Sequence, residues 1–98
     1  MHNIRYTELA EADLFELFQS IYADKPMAAV EYVDRLDKFI ALLEDNPYMG
    51  VACKQKNIDR DCRVLIYENY LIFYTVQKDE VVIIRILNAH NSYTDKID

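Results

Sequence analysis

Three features of the sequence predict an α+β fold of order β-α-α-β-β-β(-β), a helical hairpin packed on a twisted antiparallel sheet. The first half repeats apolar residues at helical spacing and breaks once, at "ADKP". The second half switches to β-branched and aromatic runs of extended character, and one short extended stretch, "NIRYT", precedes the first helix.

In "NIRYT", Ile4 and Tyr6 share one face, the alternation of a short strand. Thr7 is placed as an N-cap. Glu8 and Glu11 follow in the first turn, where the helix dipole favours anions, and Ala10, Leu14, Leu17, Phe18 and Ile21 carry an amphipathic helix from Thr7 to about Tyr22. Pro26 suits the first turn of a second helix because no intrahelical donor is needed there. Ala29, Val33, Leu36, Ile40 and Leu43, with Tyr32, Phe39 and Leu42 widening the stripe, carry that helix to "DNP". So short a break between helices predicts an antiparallel hairpin.

Past Gly50, "RVLIYENYLIFYTVQKDEVVIIRILN" holds three β-rich runs with "EN" and "KD" at the breaks, which reads as an antiparallel meander, and "VACKQK" reads as a weaker extra strand. The middle run places Leu71, Phe73 and Thr75 on one face and Ile72, Tyr74 and Val76 on the other. Apolar on both faces, it is expected to be central and covered on both sides, by the helical hairpin on one and by something else on the other. In the last run Arg85 is expected to share a face with Val81, Ile83 and Leu87, where a charge must be paired or must face a groove.

A chain of 98 residues, 52% hydrophobic with one glycine and two prolines, leaves no composition for a linker or a disordered tail, so residues 1–98 are expected to form one domain. No apolar run approaches the roughly 20 residues of a membrane helix, and the amino terminus has no basic segment followed by a long apolar one, which predicts a soluble, cytoplasmic protein. Cys53 and Cys62 fit neither a disulfide scaffold nor a zinc pattern, and they are expected to be reduced thiols; no metal or cofactor is expected. The net charge of -6 is uneven: Glu8 to Asp45 carries ten acids against three bases, whereas Val51 to Asp98 carries seven of each. Broad affinity for a phosphate backbone is therefore excluded, except at a local patch where Lys54, Lys56, Arg60 and Arg63 outnumber Asp59 and Asp61.

The order strand, helix, helix, meander, with "DNPYMG" closing the second helix, "Y-x-I-F-Y" in the central strand and "VVIIRIL" running into a polar "NAHNSY" tail, resembles the RelE/ParE superfamily of type II toxin-antitoxin toxins along essentially the whole chain. It is closer to the ParE-like, plasmid-stabilisation branch. The resemblance implies a growth-inhibiting toxin neutralised by a cognate antitoxin, as a homodimer or a toxin-antitoxin hetero-oligomer. It further implies one of two targets: DNA gyrase, poisoned by binding, or the ribosome and its mRNA, cleaved in the RelE-like manner. A non-toxic remnant that still binds antitoxin is the third reading.

Residue chemistry favours the binding poison. Cleavage through a 2'-oxygen needs a base, an acid and cations for the developing charge. In the RelE-like pattern an arginine follows the aromatic that opens the central strand; here that position is Leu71. His90, Tyr93 and Arg63 are weak catalytic candidates, since a histidine past a strand end is commonly solvated and a tyrosine commonly packs its ring. Arg85, which matches the arginine of the ParE-like "I-x-R-V-L-H" ending, divides between structural pairing and target contact, while His90, Lys54, Lys56, Arg60 and Arg63 are further target-facing candidates or simply a solvated face. Asn88 and Asn91 stand where relatives tend to be basic. Phe15, Tyr22, Tyr32 and Tyr48 exceed what the helix stripes need and are expected to receive the antitoxin.

Overall fold

The computed structural model describes residues 1–90. Its elements are β1 (Asn3–Tyr6), α1 (Glu8–Tyr22), α2 (Pro26–Ala41), β2 (Val51–Ala52), β3 (Arg63–Tyr67), β4 (Tyr70–Val76) and β5 (Glu80–Asn88), with short 3-10 turns at Leu42–Glu44 and Cys53–Lys56. Thr7 caps α1 as its position predicts: the backbone is extended and Oγ1 accepts from the Ala10 N–H at 3.1 Å. The same hydroxyl donates to the Ile84 carbonyl at 2.9 Å, so the cap also fastens the helix to the sheet. Pro26 opens α2 behind an extended Lys25, the conformation that a following proline favours.

The strands form one sheet in the order β1-β5-β4-β3-β2. All neighbours are antiparallel except β1, which runs parallel to β5 from Asn3 opposite Glu80 to Tyr6 opposite Ile83. The sheet is thus mixed, where an antiparallel sheet was expected. β4 occupies only one edge of β5, and β1 fills the other, reinforced by an exposed Arg5–Glu80 ion pair at 3.2 Å. The register of β4 against β5 shifts between Phe73, opposite Arg85, and Tyr74, opposite Ile83, leaving Ile84 as an extra residue. This bulge breaks the expected alternation: Ile83 and Ile86 lie in the helix-side core, whereas Leu87 lies on the opposite side of the sheet, away from the face shared by Val81 and Ile83.

Both faces of β4 are buried, as its sequence requires. Ile72 and Tyr74 pack with Leu17, Leu36, Ile40 and Leu43 under the helical hairpin. Leu71 and Phe73 pack with Val64 and Leu87 beneath Cys53, Ile58 and Cys62. The shield of the second face is therefore the loop 53–62, which corrects two expectations together. The extra strand stops at Ala52, because the chain turns at Cys53 into a 3-10 turn ending at Asn57, which adopts a left-handed φ of 62°. The cysteines are joined in a Cys53–Cys62 disulfide, with the Cys53 N–H donating to the Cys62 carbonyl at 2.8 Å.

Candidate functional site

Between α1 and α2 lies a groove of about 380 Å³ lined by Leu14, Phe15, Phe18 and Val33, with Tyr6, Glu11 and Asp37 as its polar members. Phe15 is 61% exposed although its ring is wholly apolar. Phe18 stacks on Tyr22 at 5.5 Å between ring centroids, so Phe15, Phe18 and Tyr22, three and four residues apart, extend an aromatic stripe along the flank of α1. Across the groove the Tyr6 hydroxyl donates to Asp37 Oδ1 at 2.9 Å. Burial first, and then that hydrogen bond and the carboxylate charge, hold the Tyr6 phenol well above the usual tyrosine range.

The expected aromatic surface is therefore divided. Phe15 lines the groove and Tyr22 continues its wall. Tyr32 instead packs edge-on against Tyr67 and Tyr70 at 5.9 and 6.1 Å, beneath the Arg35 guanidinium, and its phenol is pushed up to about 12, chiefly by burial. Tyr48 is exposed in the loop before β2, under the Arg63 guanidinium at 5.4 Å. By helical spacing Leu14, Phe18 and Val33 read as core residues and Glu11 as a first-turn anion, and nothing local marks Glu11 or Asp37 as part of a groove. The available signal was that Phe15 and Phe18 begin a second stripe, offset from the one made by Ala10, Leu17 and Ile21.

A smaller cleft of about 190 Å³ lies beside α1, lined by Asp13, Glu16, Leu17, Ser20, Tyr70, Arg85 and the following residues of β5. Arg85 donates through Nε to Asp13 Oδ2 and through a terminal nitrogen to Asp13 Oδ1, both at 2.8 Å, and Asp13 Oδ2 also accepts the Ile86 N–H at 3.0 Å. The two side chains are only 17% and 10% exposed. Hydrogen bonding to Asp13 raises the Arg85 pKa further above its ordinary value. Arg85 is thus paired with an aspartate of α1.

The arrangement is thus two helices on one face of a five-stranded mixed sheet, with a groove between the helices. The description of the family model that matches residues 4–93 is ParE toxin of type II toxin-antitoxin system, parDE. The chain belongs to the ParE toxin family. A solved structure described as the chromosomal ParDE TA system from P. aeruginosa shares the fold, with a TM-score of 0.77 and 20% identity over 92% of this chain and 98% of that one. Among curated protein sequences nothing matches significantly.

The remaining candidates of this ParE-family chain do not converge. Arg63 is engaged locally: Nε and a terminal nitrogen donate to the Gly50 carbonyl at 3.1 and 2.7 Å, and the latter also reaches the Tyr48 carbonyl at 3.2 Å. Gly50 itself is held from the other side by its N–H donating to the Tyr74 hydroxyl at 2.9 Å. A Cβ there would sit 2.7 Å from that hydroxyl and from the Val64 carbonyl, which is why the chain's one glycine stands at this crossing. Lys54, Lys56 and Arg60 are exposed on the loop 53–62. His90 is exposed just past β5, its N–H donating to Asn88 Oδ1 at 2.8 Å. Tyr93 and Asn91 lie outside the described residues. Leu71 is 8% exposed inside the second core. Among the described residues no group of three or more His, Cys, Asp or Glu could hold a metal, and no helix is long and apolar enough to cross a membrane.

Proposed function

We propose that residues 1–98 form one cytoplasmic toxin domain, neutralised by a cognate antitoxin, that arrests growth by binding DNA gyrase and does not cleave RNA. The observation that carries the choice of mode is Leu71. At the position where the RelE-like pattern has its arginine, this chain has a leucine packed with Phe73 and Leu87 under the 53–62 loop. An apolar side chain there supplies neither a proton nor countercharge to a phosphorane. Arg63, the nearest candidate on β3, is tied to the Gly50 and Tyr48 carbonyls, and Arg85 is tied to Asp13. These commitments favour a toxin that works by surface recognition, with Lys54, Lys56, Arg60 and His90 as its target-facing candidates.

The groove between α1 and α2 supports the antitoxin part of the reading. An amphipathic segment would bury apolar residues against Leu14, Phe15, Phe18 and Val33 and set a lysine or arginine against Glu11 or Asp37. The test is induced expression with and without the neighbouring gene, scoring growth, the DNA-damage response and primer extension on a translated message. Growth arrest with a damage response and no cleavage supports the reading. Discrete cleavage within codons, abolished by His90→Ala, overturns it in favour of a ribosome-dependent mRNA endonuclease. Antitoxin binding without growth arrest leaves a non-toxic remnant of the fold.

A further inference from the structure

We propose that the Cys53–Cys62 disulfide is a thiol-disulfide exchange site that latches the 53–62 loop over the second face of the sheet. A dithiol reductant would unlatch that loop without unfolding the helical side. Four observations converge on this segment. The loop supplies just Cys53, Ile58 and Cys62 to the buried cluster on that face, against Val64, Leu71, Phe73 and Leu87 from the strands. Residues 54–57 and 59–61 are exposed and all are polar, so the loop has little apolar grip of its own. Its backbone hydrogen bonds close on themselves, from Cys53 to Cys62, Ile58 to Cys53, Arg60 to Ile58 and Cys62 to Arg60. Finally, a cavity of about 30 Å³ is lined by Lys56 and Ile58 of the loop and by Val64, Leu71 and Phe73 of the sheet, so a small gap remains in the packing where the lid meets the sheet.

The disulfide joins the two ends of this weakly held lid, which restricts how far it can lift. Reduction would follow ordinary exchange: a thiolate of the dithiol attacks one cysteine sulfur and expels the other cysteine as a thiolate, and the dithiol's second thiol then displaces the attacked cysteine from the resulting mixed disulfide. Two electrons pass to the pair, leaving two cysteine thiols and an oxidised dithiol. Both cysteines are buried, so attack waits for a transient opening of the lid. In a reducing cytoplasm such a pair is a regulatory element and not a permanent staple, a consequence that rests on the cytoplasmic reading above. The behaviour of the purified chain does not depend on that reading.

The experiment compares limited trypsin digestion of the full chain before and after dithiothreitol, with maleimide labelling of the denatured chain to establish its redox state. Chain-entropy arguments for a loop of this length set a ceiling of about 100-fold on the gain in opening, so cleavage at Lys54, Lys56 and Arg60 should accelerate about 10- to 100-fold. Cleavage at Arg35 and Lys38 in α2 should stay constant, and the Cys53→Ala/Cys62→Ala chain should digest like the reduced protein without reductant. Three results would overturn the proposal: two maleimides still added to the denatured chain after treatment of the native chain with oxidised glutathione, unchanged loop cleavage after verified reduction, or equal acceleration at Arg35 and Lys38.

Discussion

Replacing Asp13 by alanine removes both oxygens that grip the Arg85 guanidinium at 2.8 Å and also orphans the Ile86 N–H of β5, which Asp13 accepts at 3.0 Å. With side chains 17% and 10% exposed, this pair lies well outside the surface class that contributes about 0–1 kcal/mol. Truncating one member of a buried pair costs about 3–5 kcal/mol, because the other charge is left desolvated. The lower end applies here, since the cleft beside Arg85 gives the guanidinium a route to water and the Glu16 carboxylate also acts on its charge. A loss of about 3 kcal/mol is a large share of the roughly 5–15 kcal/mol that holds a small domain, and corresponds to a fall in Tm of about 12–24 °C. Urea unfolding of the oxidised chain, followed by far-UV circular dichroism, measures it. Asp13→Leu/Arg85→Met should recover part of the loss, because a matched apolar pair leaves no charge stranded, while the Ile86 N–H still lacks the acceptor that Asp13 supplied. An Asp13→Ala chain within about 1 kcal/mol of the parent, with an unchanged denaturant slope, would refute the reasoning and return Arg85 to the solvent-facing surface. The same numbers bear on function: relief of growth arrest by Arg85→Ala implicates a target contact only if the variant is shown to be folded.

Three further outcomes can be measured. Gly50→Ala should cost about 1–3 kcal/mol in urea unfolding, since its Cβ would meet the Tyr74 hydroxyl and the Val64 carbonyl at 2.7 Å. Tyr6→Phe should lose about 1 kcal/mol near neutral pH through the hydrogen bond to Asp37. Because the folded Tyr6 phenol titrates above its unfolded value of 10.0, its contribution is intact below pH 10 and is lost as pH rises beyond it, by at most about 1.4 kcal/mol per pH unit; the gap between parent and variant should therefore narrow in alkaline urea titrations. Phe15→Asp should weaken antitoxin binding by about 100-fold or more in calorimetry while leaving stability within about 0.5 kcal/mol, because the ring is exposed in the free chain.

What the sequence determined by itself was whatever one segment decides with its near neighbours. The cap at Thr7, the start of α2 at Pro26, the helical stripes, the meander and the centrality of β4 all follow from backbone sterics and periodicities that span a few residues. Of the residues that line the groove, Phe15 was legible in the same way. The tertiary structure alone decided features that join residues distant in the chain. β1 lies parallel to β5 because that edge was unfilled, and the bulge at Ile84 moves Leu87 off the face of Ile83. Arg85 meets Asp13 across 72 positions, and Gly50 meets Tyr74 across 24. Cys53 and Cys62, only nine apart, were also missed, because a pair is recognisable as a disulfide from the approach of their backbones, and local composition carries no such distance. Periodicity records which way a side chain points along its own element, whereas a pairing depends on where two elements are brought together, and that is settled when the chain packs.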